Sequence, residues 1–189
     1  MAATVTVVEA TDAGPNWNTV TAIRFCTADE HNPGTSYPIP IPAAGNSYSY
    51  WKSVALNLAG EFTKINNVRF YCDGTIAWTM GTGGYVRVAT RDAGDCGCPD
   101  GDYEQSAGTE GTTGYALEDG DNGHDYFKGQ TNPEDDVTDF TSGAPMTVDS
   151  TDHTEAERTK HVVLQVKIAD DATQGDQANE TFTWKYDEI

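Results

Sequence analysis

The chain has 189 residues, 30 acidic against 11 basic, for a formal net charge of −19. That length suits one domain with a real core, and that charge repels nucleic acid and anionic membrane alike. Nineteen glycines and apolar residues in short bursts leave no sustained helical stripe, which excludes a helical bundle and points to a turn-rich β protein.

The opening stretch, "MAATVTVVEATDAG", has no basic n-region, no apolar signal-peptide segment and no run long enough to span a bilayer. The expectation is a protein made and kept in a cytoplasm, with neither membrane nor nucleic acid as partner. Period-2 alternation begins at once: "TVTVVE" (4–9) predicts one strand and "VTAIRFCT" (20–27) a second, with Ile23 and Phe25 on one face. "SYPIPIPAAG" (36–45) breaks the pattern. Pro38, Pro40 and Pro42 lack amide donors, and the residues before them are driven to extended geometry, so neither helix nor central strand runs through. Tyr37, Ile39 and Ile41 are apolar, which a solvated linker does not need. Residues 31–46 are therefore expected to form an extended arm that lies on something, with Tyr37, Pro38, Ile39, Pro40, Ile41 and Pro42 as its contact.

Beyond the arm, "NSYSYWKSVALNLAG" alternates from Tyr48 to Leu58 and reads as one long strand or two kinked ones, and "NNVRFYCDG" alternates up to a turn-forming Asp73-Gly74. "TIAWTM" (75–80) and "YVRVATR" (85–91), joined across "GTGG", predict a hairpin. From 92 to 150 the pattern dissolves into Gly, Asp, Asn, Thr and Glu with isolated aromatics. A stretch of that length without structure is uncommon unless it carries function or meets a partner, so it is expected to be a second contact or an exposed crown. "HVVLQVKIA" then sets Val162, Leu164, Val166 and Ile168 on one face, and "ETFTWKYDE" sets Phe182, Trp184 and Tyr186 on one face. About eight strands and no helix give an all-β fold: a single β-sandwich over 1–189, jelly-roll-like, with a proline-rich arm and long acidic Gly-rich loops.

Chemistry is harder to find. "MGTGGYV" opens no helix, and no nucleophile elbow, phosphate-binding loop or metalloprotease signature occurs. His31, His124, His153 and His161 pair with no particular Ser or Cys and are expected on the surface. Cys26, Cys72, Cys96 and Cys98 are too few for a disulfide scaffold and read as buried thiols. Cys96-Gly97-Cys98 with Cys26 and Cys72 falls short of common zinc spacings. "EDGDNGHD" is the best cation candidate, with Glu118, Asp119, Asp121 and Asp125 able to wrap Ca²⁺, although the third position of an EF-hand loop is a glycine here. Trp17, Trp51 and Tyr50 suggest a sugar-stacking face, whereas Trp78 and Trp184 fit a core better. The expectation is no catalytic residue and no cofactor.

"PGTSYPIPIPAAGNSYSYWKSVALNLAG", "INNVRFYCDG" and "QANETFTWKYDEI" resemble a family of structural proteins encoded among the virion genes of tailed bacteriophages and related archaeal viruses. The resemblance spans most of the chain. It implies a non-enzymatic virion component with an all-β fold, and supplies no catalytic residues. The charge places such a protein on the outer surface, away from packaged DNA. The expected role is a capsid decoration or cement protein that contacts the major capsid protein and copies of itself, by analogy as a trimer. A tail, neck or baseplate protein, a carbohydrate-binding module and a hydrolase are the rival readings.

Overall fold

Alternation becomes antiparallel sheet wherever a second strand lies in register. The computed structural model describes residues 2–90, 103–129 and 135–189. Among them are twelve strands: β1 (Thr4–Thr11), β2 (Asn16–Thr19), β3 (Asn46–Tyr48), β4 (Lys52–Ala59), β5 (Ile65–Tyr71), β6 (Tyr85–Thr90), β7 (Gly108–Thr109), β8 (Thr113–Gly114), β9 (Asp135–Asp136), β10 (Met146–Asp149), β11 (Val162–Ala169) and β12 (Thr183–Glu188). The helical content of the described residues is one 3-10 turn at Val137–Asp139, whose first amides are capped by Asp136.

The fold is all-β. A seven-stranded sheet runs β2-β1-β4-β11-β6-β9, with β3 also paired to β11, and a three-stranded sheet runs β10-β5-β12. Every strand pairing is antiparallel. Register follows the side chains: Val7 faces Leu56 and Val5 faces Leu58 across β1 and β4, while Leu164 faces Val88 across β11 and β6. These residues share one apolar core with Ile65, Val68 and Phe70 of β5 and with Met146 and Val148 of β10, so the two sheets face each other across it. Phe182, Trp184 and Tyr186 pack against the same core from β12, as their spacing predicts.

Two predicted strands form no ladder. Residues 20–27 join no sheet and make backbone hydrogen bonds only at Val20, Cys26 and Thr27, and residues 75–80 do not join β6, which pairs with β11 and β9 instead. Both still alternate in burial: Ile23 turns inward between exposed neighbours and Phe25 follows exposed Arg24, while Ile76 and Trp78 turn inward between exposed neighbours and Met80 follows exposed Thr79. The core pulls on side chains and is indifferent to whether the backbone has a partner.

Candidate functional site

The outer face of the long sheet is covered as well. Strand alternation turns Val163, Gln165 and Ala89 away from the main core, and residues 103–129 fold back over them. Trp51, Ala89, Val163, Leu117 and Phe127 form a second buried cluster there. Residues 103–129 of the predicted 92–150 loop region are thus a packed layer, pinned by hydrogen bonds, and residues 135–149 are not loop throughout but supply β9, the 3-10 turn and β10. Gln165, fully buried, accepts from the Leu117 amide at 3.0 Å and donates to the carbonyls of Ser49 (2.9 Å) and Tyr115 (2.7 Å). The Trp51 indole donates to the Glu104 carbonyl at 3.1 Å. Gly114 lies so close to Ser49 that a Cβ there would sit 2.2 Å from its carbonyl oxygen, so only glycine lets the β7-β8 hairpin settle.

Three buried ionic groups fasten other loops. Glu9 and Lys52 fall on the core side of β1 and β4, 0% and 2% exposed, with Lys52 Nζ 2.8 Å from Glu9 Oε1 and donating to the Glu30 carbonyl at 2.6 Å. Burial pushes the Glu9 carboxyl up, against the opposing pull of the Lys52 charge. His153 lies between Asp149 (3.2 Å) and Glu157 (2.7 Å), and its backbone pairs with Ile65, closing residues 150–160 over the end of the sandwich. Burial also pushes Asp149 up, but the amides of Lys160 and Thr151 outweigh it and hold the carboxyl below its ordinary range. His124 is buried beside Glu104, 3.2 Å away. Three of the four histidines, His124, His153 and His161, are therefore interior rather than on the surface. The partners of His153 lie four positions to either side of it, whereas Glu104 reaches His124 from 20 positions away.

The inner face is less complete. A cleft of about 1370 Å³ opens between the sheets, walled by Ile23, Phe25, Ile41, Trp78, Phe182 and Trp184 among others. The proline arm runs along its rim. Tyr37 takes φ of 53°, and its carbonyl accepts from the Thr27 amide at 2.9 Å, which anchors the start of the arm. Ile39 packs against the main core, and Ile39 and Ile41 are both half-buried while Pro38 is exposed. The arm thus lies on its own domain with part of its apolar surface still uncovered.

Other predicted sites are dispersed. Asp119 Oδ1 accepts from the amides of Asp121 and Asn122, an internal turn that holds its carboxyl down, and Asp125 pairs with Lys128. Among the described residues no group of three or more His, Cys, Asp or Glu side chains is placed to hold a metal, Glu118, Asp119, Asp121 and Asp125 included. Cys26 and Cys72 are buried free thiols; Cys96 and Cys98 lie outside the described residues, as do positions 92–102 and 130–134 of the acidic stretch. Tyr50 and Trp51 are 7% and 3% exposed and present no plane to a sugar, and Trp17 is stacked among Tyr103, His161 and Arg158. Trp78 and Trp184 pack against the core, as expected. No family model, no curated protein and no solved structure matches the chain.

Proposed function

We propose that the protein is a non-enzymatic structural component of a virion, a decoration or cement protein on the outer head surface that braces the major capsid lattice, and that its two facing sheets are a jelly-roll-like sandwich. The observation that carries the reading is the arm. Tyr37, Pro38, Ile39, Pro40, Ile41 and Pro42 form a stiff, half-covered apolar rail on a body of net charge −19, an adhesive strip on a surface otherwise suited to solvent. Proline-stiffened segments lose little conformational entropy on docking, so such a rail gains contact at low cost. The resemblance of residues 33–60 and 177–189 to virion proteins supports the location, and the acidic surface disfavours a place against DNA. The buried ionic groups support a non-catalytic role, because Glu9, Lys52, Asp149 and His153 each hold strands or loops in place.

The partners in this reading are the major capsid protein and further copies of the chain, arranged as a trimer at lattice three-fold positions. Purified particles test it. About one copy per major capsid subunit, with heads made fragile to heat by its loss, is the expected result. A handful of copies points to tail, neck or baseplate, and none in particles removes the virion reading.

A further inference from the structure

The cleft is bordered by backbone that has no partner. Among the described residues no hydrogen bond reaches an amide or carbonyl of residues 21–25, and none reaches the amides of Ile76 and Trp78. Side chains do the work of a strand on the other edge of that second segment: Glu180 Oε1 accepts from the Ala77 amide at 2.8 Å and Gln177 Oε1 from the Thr79 amide at 3.0 Å. β12 pairs with β5 on one side and with no strand on the other. Three stretches thus border an apolar cavity with inward side chains in place; backbone groups of 21–25 and one edge of β12 are free among the described residues, and 75–80 is bonded at the Thr79 and Met80 carbonyls but free at the Ile76 and Trp78 amides. That is a sheet short of a strand.

We propose that this cleft is a strand-acceptor groove. It takes an extended, uncharged segment of another polypeptide, with apolar residues at every second position, which hydrogen-bonds to the backbone of residues 21–25 and sinks alternate side chains into the cavity against Trp184 and the edge-to-face pair of Phe25 and Trp78. The inference goes beyond the virion reading and does not depend on it. Main-chain edges call for main-chain donors and acceptors, which a lipid or other apolar small molecule lacks. Charge and burial select the chemistry of the occupant: in a chain of −19, the cleft lining has one cation, Arg24, and two acids, Asp176 and Glu180, which disfavours an acidic segment, and the apolar walls make burial of any unpaired charge costly. A second copy of this chain brings another −19, and its proline arm lacks three of the donors a strand needs. Five extended residues span about 16 Å, so the matching segment is about five to seven residues long.

The probe is a capped heptapeptide alternating threonine and valine, compared with the same peptide N-methylated at alternate amides along either edge. Amide hydrogen exchange at residues 21–25 and at Ile76 and Trp78 is the readout, with tryptophan emission as a second. The free protein should exchange these amides fast while those of β11 stay protected; the peptide should slow alternate amides of residues 21–25 about tenfold or more, and N-methylation along one of its edges should weaken binding about tenfold. Ile23→Asp should abolish the protection while leaving the circular dichroism of the sheets unchanged. The proposal fails if these amides are already protected in the free chain, or if the peptide protects none of them. It also fails if both N-methylated peptides bind as well as the parent, which makes the cleft a pocket for apolar molecules, or if sedimentation shows the free chain filling the cleft with a second copy.

Discussion

The two faces of the long sheet are closed in opposite ways. On the outer face, residues 103–129 carry few apolar side chains, yet they are locked down because Gln165 and Trp51 bond directly to their backbone. On the inner face, residues 20–25 and 75–80 supply abundant apolar side chains, yet much of their backbone stays unpaired. Apolar contact brings a segment to a surface, and hydrogen bonding fixes it there; the inner segments have the first without the second.

Removing the polar lock should have the largest effect. Gln165→Leu leaves the Leu117 amide and two carbonyls buried without partners, and is expected to cost about 4 kcal/mol in urea unfolding and to open residues 103–129 to protease. A loss below about 1 kcal/mol would mean that apolar packing alone holds that layer.

The Glu9 and Lys52 pair comes next. Lys52→Met should cost about 3 kcal/mol by stranding a buried carboxylate, and adding Glu9→Leu should recover most of it. The sign with pH is definite: the Glu9 carboxyl is raised, so folding favours its neutral form, and the penalty should grow as pH climbs above its ordinary 4.5. Thermal melts of Lys52→Met between pH 4 and 7 measure this; a flat profile contradicts it.

Asp149→Asn should cost about 2 kcal/mol at neutral pH, because the loop over residues 150–160 loses its charged acceptor. Asp149 is depressed, so its contribution is present above its ordinary 3.8 and is lost as pH falls through the lower, folded value. Variant and parent should therefore converge in strong acid, as paired acid titrations would show.

The open side should respond least. Ile41→Ala is expected to cost about 1 kcal/mol or less, since the side chain is only half covered. If the proposed virion role holds, Ile39→Asp with Ile41→Asp should weaken attachment to particles more than it weakens the fold, and a global unfolding of that variant would assign the arm to the core instead.

Reading the sequence worked best where side-chain period and pairing coincide. In β11, Val162, Leu164 and Val166 alternate into the core as their spacing predicts. At Ile23 and Phe25 the same period is present and the ladder is not, because alternation reports which side chains are buried and is silent on backbone partners. The outer layer was illegible for another reason. Tyr103, Leu117, His124 and Phe127 are isolated among glycines and acids, and the residue that fastens them, Gln165, lies 48 and 50 positions from the backbone groups of Leu117 and Tyr115 that it bonds. The one local clue was Gln165 itself, a polar residue between Leu164 and Val166 in a largely apolar strand. The arm was legible as an arm, since three prolines permit little else; its resting place beside Thr27 and the core was not.

The place of β11 in the strand order also governs how the chain is born. β3, β4 and β6 all pair with β11, whose residues 162–169 leave the ribosome after those three strands are finished. Until then β6 has no neighbour other than the two-residue β9, and β4 is paired on one side only, with β1. Assembly of the long sheet therefore waits for nearly the whole chain and depends on contacts remote in sequence, which makes folding slow. The nascent protein spends its synthesis with unpaired strands exposed, the stage at which chaperones have most to protect.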